Sequence, residues 1–131
     1  MKGWLVLLAL ALAGCASGVG RPVHEIHATS GADGVQHVTV TAHAFFFEPN
    51  KVIVQANRPV ELEVKNHSMF VPHNFSCVAP NAGIQVDEGL GMFWDGETAK
   101  FTPTEAGEYN FFCKVDGHSK KGMTGTIVVV P

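Results

Sequence analysis

Residues Val60 to Asn66 read V-E-L-E-V-K-N, an unbroken alternation of apolar and polar side chains. A period of two puts Val60, Leu62 and Val64 on one face and Glu61, Glu63 and Lys65 on the other, as in a half-buried β-strand. Upstream, H-V-T-V-T-A-H-A-F-F-F from His37 to Phe47 repeats the pattern, with Val38, Val40, Ala42 and Ala44 of one parity. Glu48-Pro49-Asn50 is a turn, K-V-I-V-Q-A a strand, and Asn57-Arg58-Pro59 the turn into Val60. Downstream, strands are predicted over His73 to Val78, Ile84 to Glu88, Thr98 to Phe101, Tyr109 to Cys113 and Thr124 to Val130. No stretch sustains a helical period, although Ser68 to Pro72 or Ala79 to Gly83 can hold a single turn. About eight strands divided by turn residues predict an all-β fold, a Greek-key β-sandwich or barrel.

At 131 residues the chain fits one domain with a core that needs no staples. Its composition, 46% hydrophobic and 16% charged, excludes wholesale disorder. The net charge of −3, with lysines and arginines scattered, argues against nucleic acid as a partner.

The first residues read as a processing signal. Lys2 supplies a positive start, and Trp4 to Leu12 is an apolar run too short to span a membrane. It ends in Leu12-Ala13-Gly14-Cys15, which resembles the bacterial lipobox, whose cysteine is lipidated and becomes the new first residue. The alternative is an ordinary secretory signal cut near Ala16-Ser17. The expected organisation is a signal peptide at 1–14, a flexible tether at 15–36 starting from lipidated Cys15, and a domain at 37–131. Such a tether would give a reach of roughly 25 Å. His24 and His27 fall in it as solvated residues. Either reading exports the protein, and the lipobox reading places it on a membrane at the periplasmic or cell-surface side.

Cys113 to Met123, C-K-V-D-G-H-S-K-K-G-M, carries the chemistry. A thiolate (Cys113), an imidazole (His118) and a thioether (Met123) on one loop suit a copper ion that changes oxidation state. Tyr109, Phe111 and Cys113 share strand parity, so Cys113 leaves the strand facing the apolar interior. Gly117 and Gly122 allow the tight turns that return His118 and Met123 towards it. A second imidazole must come from elsewhere, and His73 after Pro72 is the candidate. Beside this stand plainer readings. Cys77 and Cys113 can form a disulfide in an exported protein, and Met123 can be a core methionine. Cys77 shares the parity of His73 and is otherwise an inert buried thiol. His37, His43 and His67 read as structural histidines. Lys114, Lys120 and Lys121 form a small basic cluster, a solvated face or a patch steering an acidic partner.

G-E-Y-N-F-F-C-K-V-D-G-H, V-P-H-N-F and F-F-F-E-P-N-K-V-I-V together resemble the cupredoxins, the type 1 blue copper family, in its azurin, auracyanin and plastocyanin-like branches. The resemblance spans residues 45 to 130. It implies copper ligands His73, Cys113, His118 and Met123, and a hydrogen-bonding role for Asn74 near Cys113. It further implies that electrons leave through a partly exposed His118 within an apolar rim, for which Met69, Met92 and Phe93 are candidates. Two departures stand out. Asp116 occupies the place of an azurin proline, where its carboxylate can lower the potential or hydrogen-bond within the loop. Pro72 replaces a glycine whose carbonyl is a weak fifth ligand, which favours four ligands.

The function so implied is one-electron transfer by a monomer between redox proteins, such as cytochromes or an oxidase or reductase. One alternative is a copper enzyme acting on a small molecule such as nitric oxide, with Asp116 or Glu88 in place of an axial Met123. Another is a copper carrier or assembly factor, although the chain has only four methionines. A binuclear centre is disfavoured, because Gly117 stands where a second loop cysteine is needed.

Overall fold

A computed structural model describes residues 20–131 of the chain. These residues form β1 (Glu25–His27), β2 (Thr29–Ser30), β3 (Gln36–His43), β4 (Phe46–Glu48), β5 (Lys51–Gln55), β6 (Val60–Asn66), β7 (His73–Ala79), β8 (Ile84–Leu90), β9 (Gly96–Phe101), β10 (Gly107–Phe112) and β11 (Thr124–Val130). One sheet runs β1-β5-β11-β10-β7-β8 and the other β2-β3-β6-β9, with β4 added to β3. The two sheets pack as a β-sandwich around alternating inward side chains. Val60, Leu62 and Val64 of β6 are buried as their alternation requires, and Val38, Val40 and Ala42 of β3 lie beside them in the core. Phe47, Phe75 and Phe111 meet at the centre, Phe47 edge-on to both others and Phe75 stacked on Phe111.

Two expectations need correction. The run from His37 to Phe47 is not one strand. The backbone turns at Phe45, with φ of 68°, so β4 folds back on β3 with His43 opposite Phe46. Ala44 is consequently exposed and Phe47 takes the inward position. The second correction concerns the tether at 15–36. Within it, β1 pairs in parallel with β5 and β2 antiparallel with β3, so residues 25–30 belong to the sheets. Short edge segments such as E-I-H carry too little alternation to announce a strand, and here the partner strand supplies the missing information. The signal peptide and Cys15 lie outside the described residues. Of the two single turns allowed, Pro80–Ala82 forms one; another, Ser119–Lys121, falls inside the ligand loop.

Strand direction gives the sandwich two distinct ends. β11 starts opposite the end of β10, at the pair Phe112 and Thr124, beside Cys113. β5 and β1 run parallel to β11, so all three start at this end. β7 also starts there with His73, since Phe112 at the close of β10 pairs with Ser76 three residues on.

Candidate metal centre

The loop after β10 is held by its own backbone. Cys113 N–H donates to Met123 O at 3.1 Å, and Met123 N–H to His118 O at 3.2 Å. Lys121 N–H reaches the same His118 carbonyl at 3.0 Å, and His118 N–H donates to Val115 O at 3.0 Å. Gly117 and Gly122 adopt φ of 77° and 97°, the left-handed region that favours glycine. These bonds close the loop so that Cys113, His118 and Met123 cannot move independently.

The donor atoms of His73, Cys113 and His118 lie within 4.8 Å of one another. His118 Nδ1 is 3.5 Å from Cys113 Sγ, and the His73 and His118 rings are 5.2 Å apart. His73 turns Nε2 to Ser68 Oγ at 3.2 Å, which leaves its buried Nδ1 without a hydrogen-bond partner among the described residues. An unpartnered buried acceptor is costly, and a cation shared with Cys113 and His118 would satisfy it. Burial, reinforced by the nearby His118 and His43, holds His73 down to about pKa 4. Burial also lowers His118, with Lys121 adding to the shift and Asp116 opposing it. Both imidazoles are therefore neutral at pH 7, the form that ligates metals. Met123 is fully buried, in the same core cluster as Cys113.

Asn74 lies beside the sulfur. Its N–H donates to Cys113 Sγ at 3.3 Å, and its side-chain Oδ1 accepts Lys114 N–H at 3.2 Å. Asp116 lies exposed on the loop and acts on His118 through charge. Among the described residues Cys77 and Cys113 form no disulfide, and burial pushes Cys77 up to about pKa 11. The basic cluster disperses: Lys114 pairs with Asp87, whereas Lys121 sits 3.9 Å over the Phe45 ring.

Sequence reasoning missed Asn66 and Ser68. Asn66 Nδ2 donates to Val71 O at 2.9 Å and Gly91 O at 2.7 Å, and its Oδ1 accepts Ser68 N–H at 2.8 Å. It thus ties the two loops around His73 together. An asparagine ending an alternating strand was the available signal. At this end of the sandwich Met69, Met92 and Phe93 are exposed, as are Phe70 and Trp94, at 72% and 57%.

Residues 4–129 match the family described as the cupredoxin-like domain. The chain belongs to this family. Solved structures agree on the cupredoxin-like fold. Dithionite-reduced auracyanin from Roseiflexus castenholzii has a TM-score of 0.65 at 21% identity, covering 79% of this chain and 99% of its own. Auracyanin A, a "blue" copper protein from Chloroflexus aurantiacus, gives 0.63 at 22%, covering 74% and 100%. The metal-binding domain of the Cu(I)-exporting ATPase CopA of Streptococcus pneumoniae D39, with Cu(I), gives 0.61 at 20%, covering 84% and 99%. No curated protein sequence matches the chain. Within the cupredoxin-like sandwich, the His–Cys–His cluster is built by the start of β7 and the loop joining β10 to β11.

Proposed function

We propose that this cupredoxin-like protein holds one copper ion through His73, Cys113, His118 and Met123 and carries single electrons between redox proteins. The observation that carries the reading is the convergence of Cys113 Sγ, His118 Nδ1 and the unpartnered His73 Nδ1 in one buried cluster. A thiolate with two imidazoles fits copper, which when bound supplies a one-electron couple. The chain's own residues supply rigidity. Asn74 N–H holds the sulfur, the self-bonded loop fixes His118, and Asn66 with Ser68 fixes His73. His118, 7% exposed and edge-on to Phe45, offers a short route between the cluster and the surface. Redox partners such as cytochromes, an oxidase or a reductase would meet the monomer there. Export as a lipoprotein through Cys15 completes the reading.

Loading the purified chain with Cu(II) should give an intense visible thiolate band and a reversible one-electron wave. The band should vanish in Cys113→Ser while the fold persists. A colourless product, or one with Cys77 disulfide-bonded to Cys113, overturns the reading. Met123→Leu keeps the volume and removes the thioether, so the potential should rise; an unchanged potential removes Met123 from the ligand set.

A second reading, copper delivery, is favoured by the exposed thioethers of Met69 and Met92 at the same end of the sandwich. It predicts rapid loss of Cu(I) to a competing chelator, whereas an electron carrier retains the metal in both states.

A further inference from the structure

The chain enters the domain at the metal end. β1 runs parallel to β5 and β11, which start beside Cys113, so residues 20–24 emerge there. They are pinned rather than loose. Asn50 Nδ2 donates to Pro22 O at 3.0 Å, and His24 N–H donates to Asn50 Oδ1 at 2.8 Å. The Arg21 guanidinium lies 3.3 Å over the Phe46 ring, and Gly20 and Arg21 line one cleft with Lys120, Lys121 and Gly122. Four residues lie between Cys15 and Gly20, and the five Cα-to-Cα steps, fully extended, span at most about 18 Å. A lipid on Cys15 would therefore hold the metal end against the bilayer.

Two loops at that end also carry five of the nine exposed large hydrophobic side chains among the described residues. Phe70, Phe93 and Trp94 are mostly exposed, and Met69 and Met92 flank them. Phe93 N–H donates to Met69 O at 3.1 Å and the Phe70 and Phe93 rings meet edge-on at 5.9 Å, joining two loops into one patch. Phe93 and Trp94 both sit at positive φ, 60° and 61°, a strained conformation for bulky residues that burial within the domain does not repay. Asp95 beside them accepts Gly91 N–H at 2.8 Å and, like exposed Asp116 on the ligand loop, keeps its negative charge. Arg21, Lys120 and Lys121 add cationic groups at the same end.

We infer that this end rests on an anionic phospholipid bilayer, with Trp94, Phe93 and Phe70 in the interfacial layer and Arg21, Lys120 and Lys121 over the headgroups. The inference rests on the lipoprotein reading of Cys15. Aromatic side chains favour the membrane interface, basic ones favour anionic lipid, and an apolar patch beside an acyl anchor supplies a second binding signal. The same patch could otherwise receive a protein. The leash, however, leaves the sandwich at the same end as the patch and so keeps the patch within reach of the lipid, where a redox partner would be met in the plane of the membrane.

The test uses Trp94. Trp4 and Trp94 are the only tryptophans, and processing at Cys15 removes Trp4. The mature lipoprotein, its Cys15 peptide checked by mass spectrometry, is reconstituted in vesicles of phosphatidylethanolamine and phosphatidylglycerol with or without brominated acyl chains. Expected are a blue-shifted Trp94 emission and loss of most of it in brominated vesicles. Quenching should weaken in Phe70→Ser/Phe93→Ser and in Lys120→Glu/Lys121→Glu. Acylated protein whose Trp94 emission is unshifted and unquenched overturns the bilayer contact, leaves the lipoprotein reading standing and assigns the patch to a protein partner. A Cys15 peptide without lipid overturns both.

Discussion

Asn74 grips Cys113 from the neighbouring strand: its backbone N–H points at Sγ, while its side chain accepts the N–H of the very next residue, Lys114. The same side chain donates to Glu88 O and Asp87 Oδ1, both at 3.0 Å. The sulfur is thus fixed to β7 and β8 as well as to its own loop. Asn74→Ala keeps the backbone donor and removes the side-chain bonds. It should destabilise the protein by about 1–3 kcal/mol and broaden the thiolate band of the copper-loaded form. Urea denaturation and visible spectroscopy check both.

Asn66 is buried and spends all three of its side-chain bonds on loops that carry Ser68, Val71 and Gly91. Asn66→Ala strands two carbonyls and one amide at once. A loss of roughly 3 kcal/mol is expected, with faster hydrogen exchange at Ser68 and Gly91 than at β10. Uniform exchange across the domain would contradict a local brace.

Gly125 faces Phe111 across the β10–β11 pair. A Cβ there would stand 2.1 Å from Phe111 Cζ and 2.6 Å from Asn50 O. Overpacking of this kind costs about 1–3 kcal/mol. Gly125→Ala should lower the urea midpoint, and Gly125→Ala/Phe111→Leu should recover part of it. Because Phe111 lies two residues before Cys113, the visible band should shift in the single variant.

Metal-free protein should lose stability in acid through His73. Its imidazole stays neutral in the fold down to about pH 4, against 6.5 for the ordinary group. Below pH 6.5 the unfolded chain binds a proton that the folded one does not, so stability falls as pH drops. The fall is on the order of 3 kcal/mol and levels off below the folded value. Urea titrations of metal-free protein between pH 7 and 4 measure it. His73→Gln should flatten this step, and an unchanged profile would show that the imidazole titrates freely.

Much of this protein was legible in one dimension. Alternation in Val60 to Asn66 announced β6 because burial on one face of a strand imposes a period of two. Cys113, His118 and Met123 sit on one loop that turns at Gly117 and Gly122, so their proximity is a local matter that sequence spacing carries. Tertiary structure decided what depends on partners far along the chain. Residues 25–30 are strands only because β5 and β3 offer edges to pair with. Ala44 is exposed because β4 folds back on β3. Asn66 acts as a brace only once the loops at Val71 and Gly91 lie against it. Above all, the parallel pairing of β1 with β5 sets which end of the sandwich the chain enters. No local pattern encodes that direction, because it follows from hydrogen bonds between segments 26 residues apart.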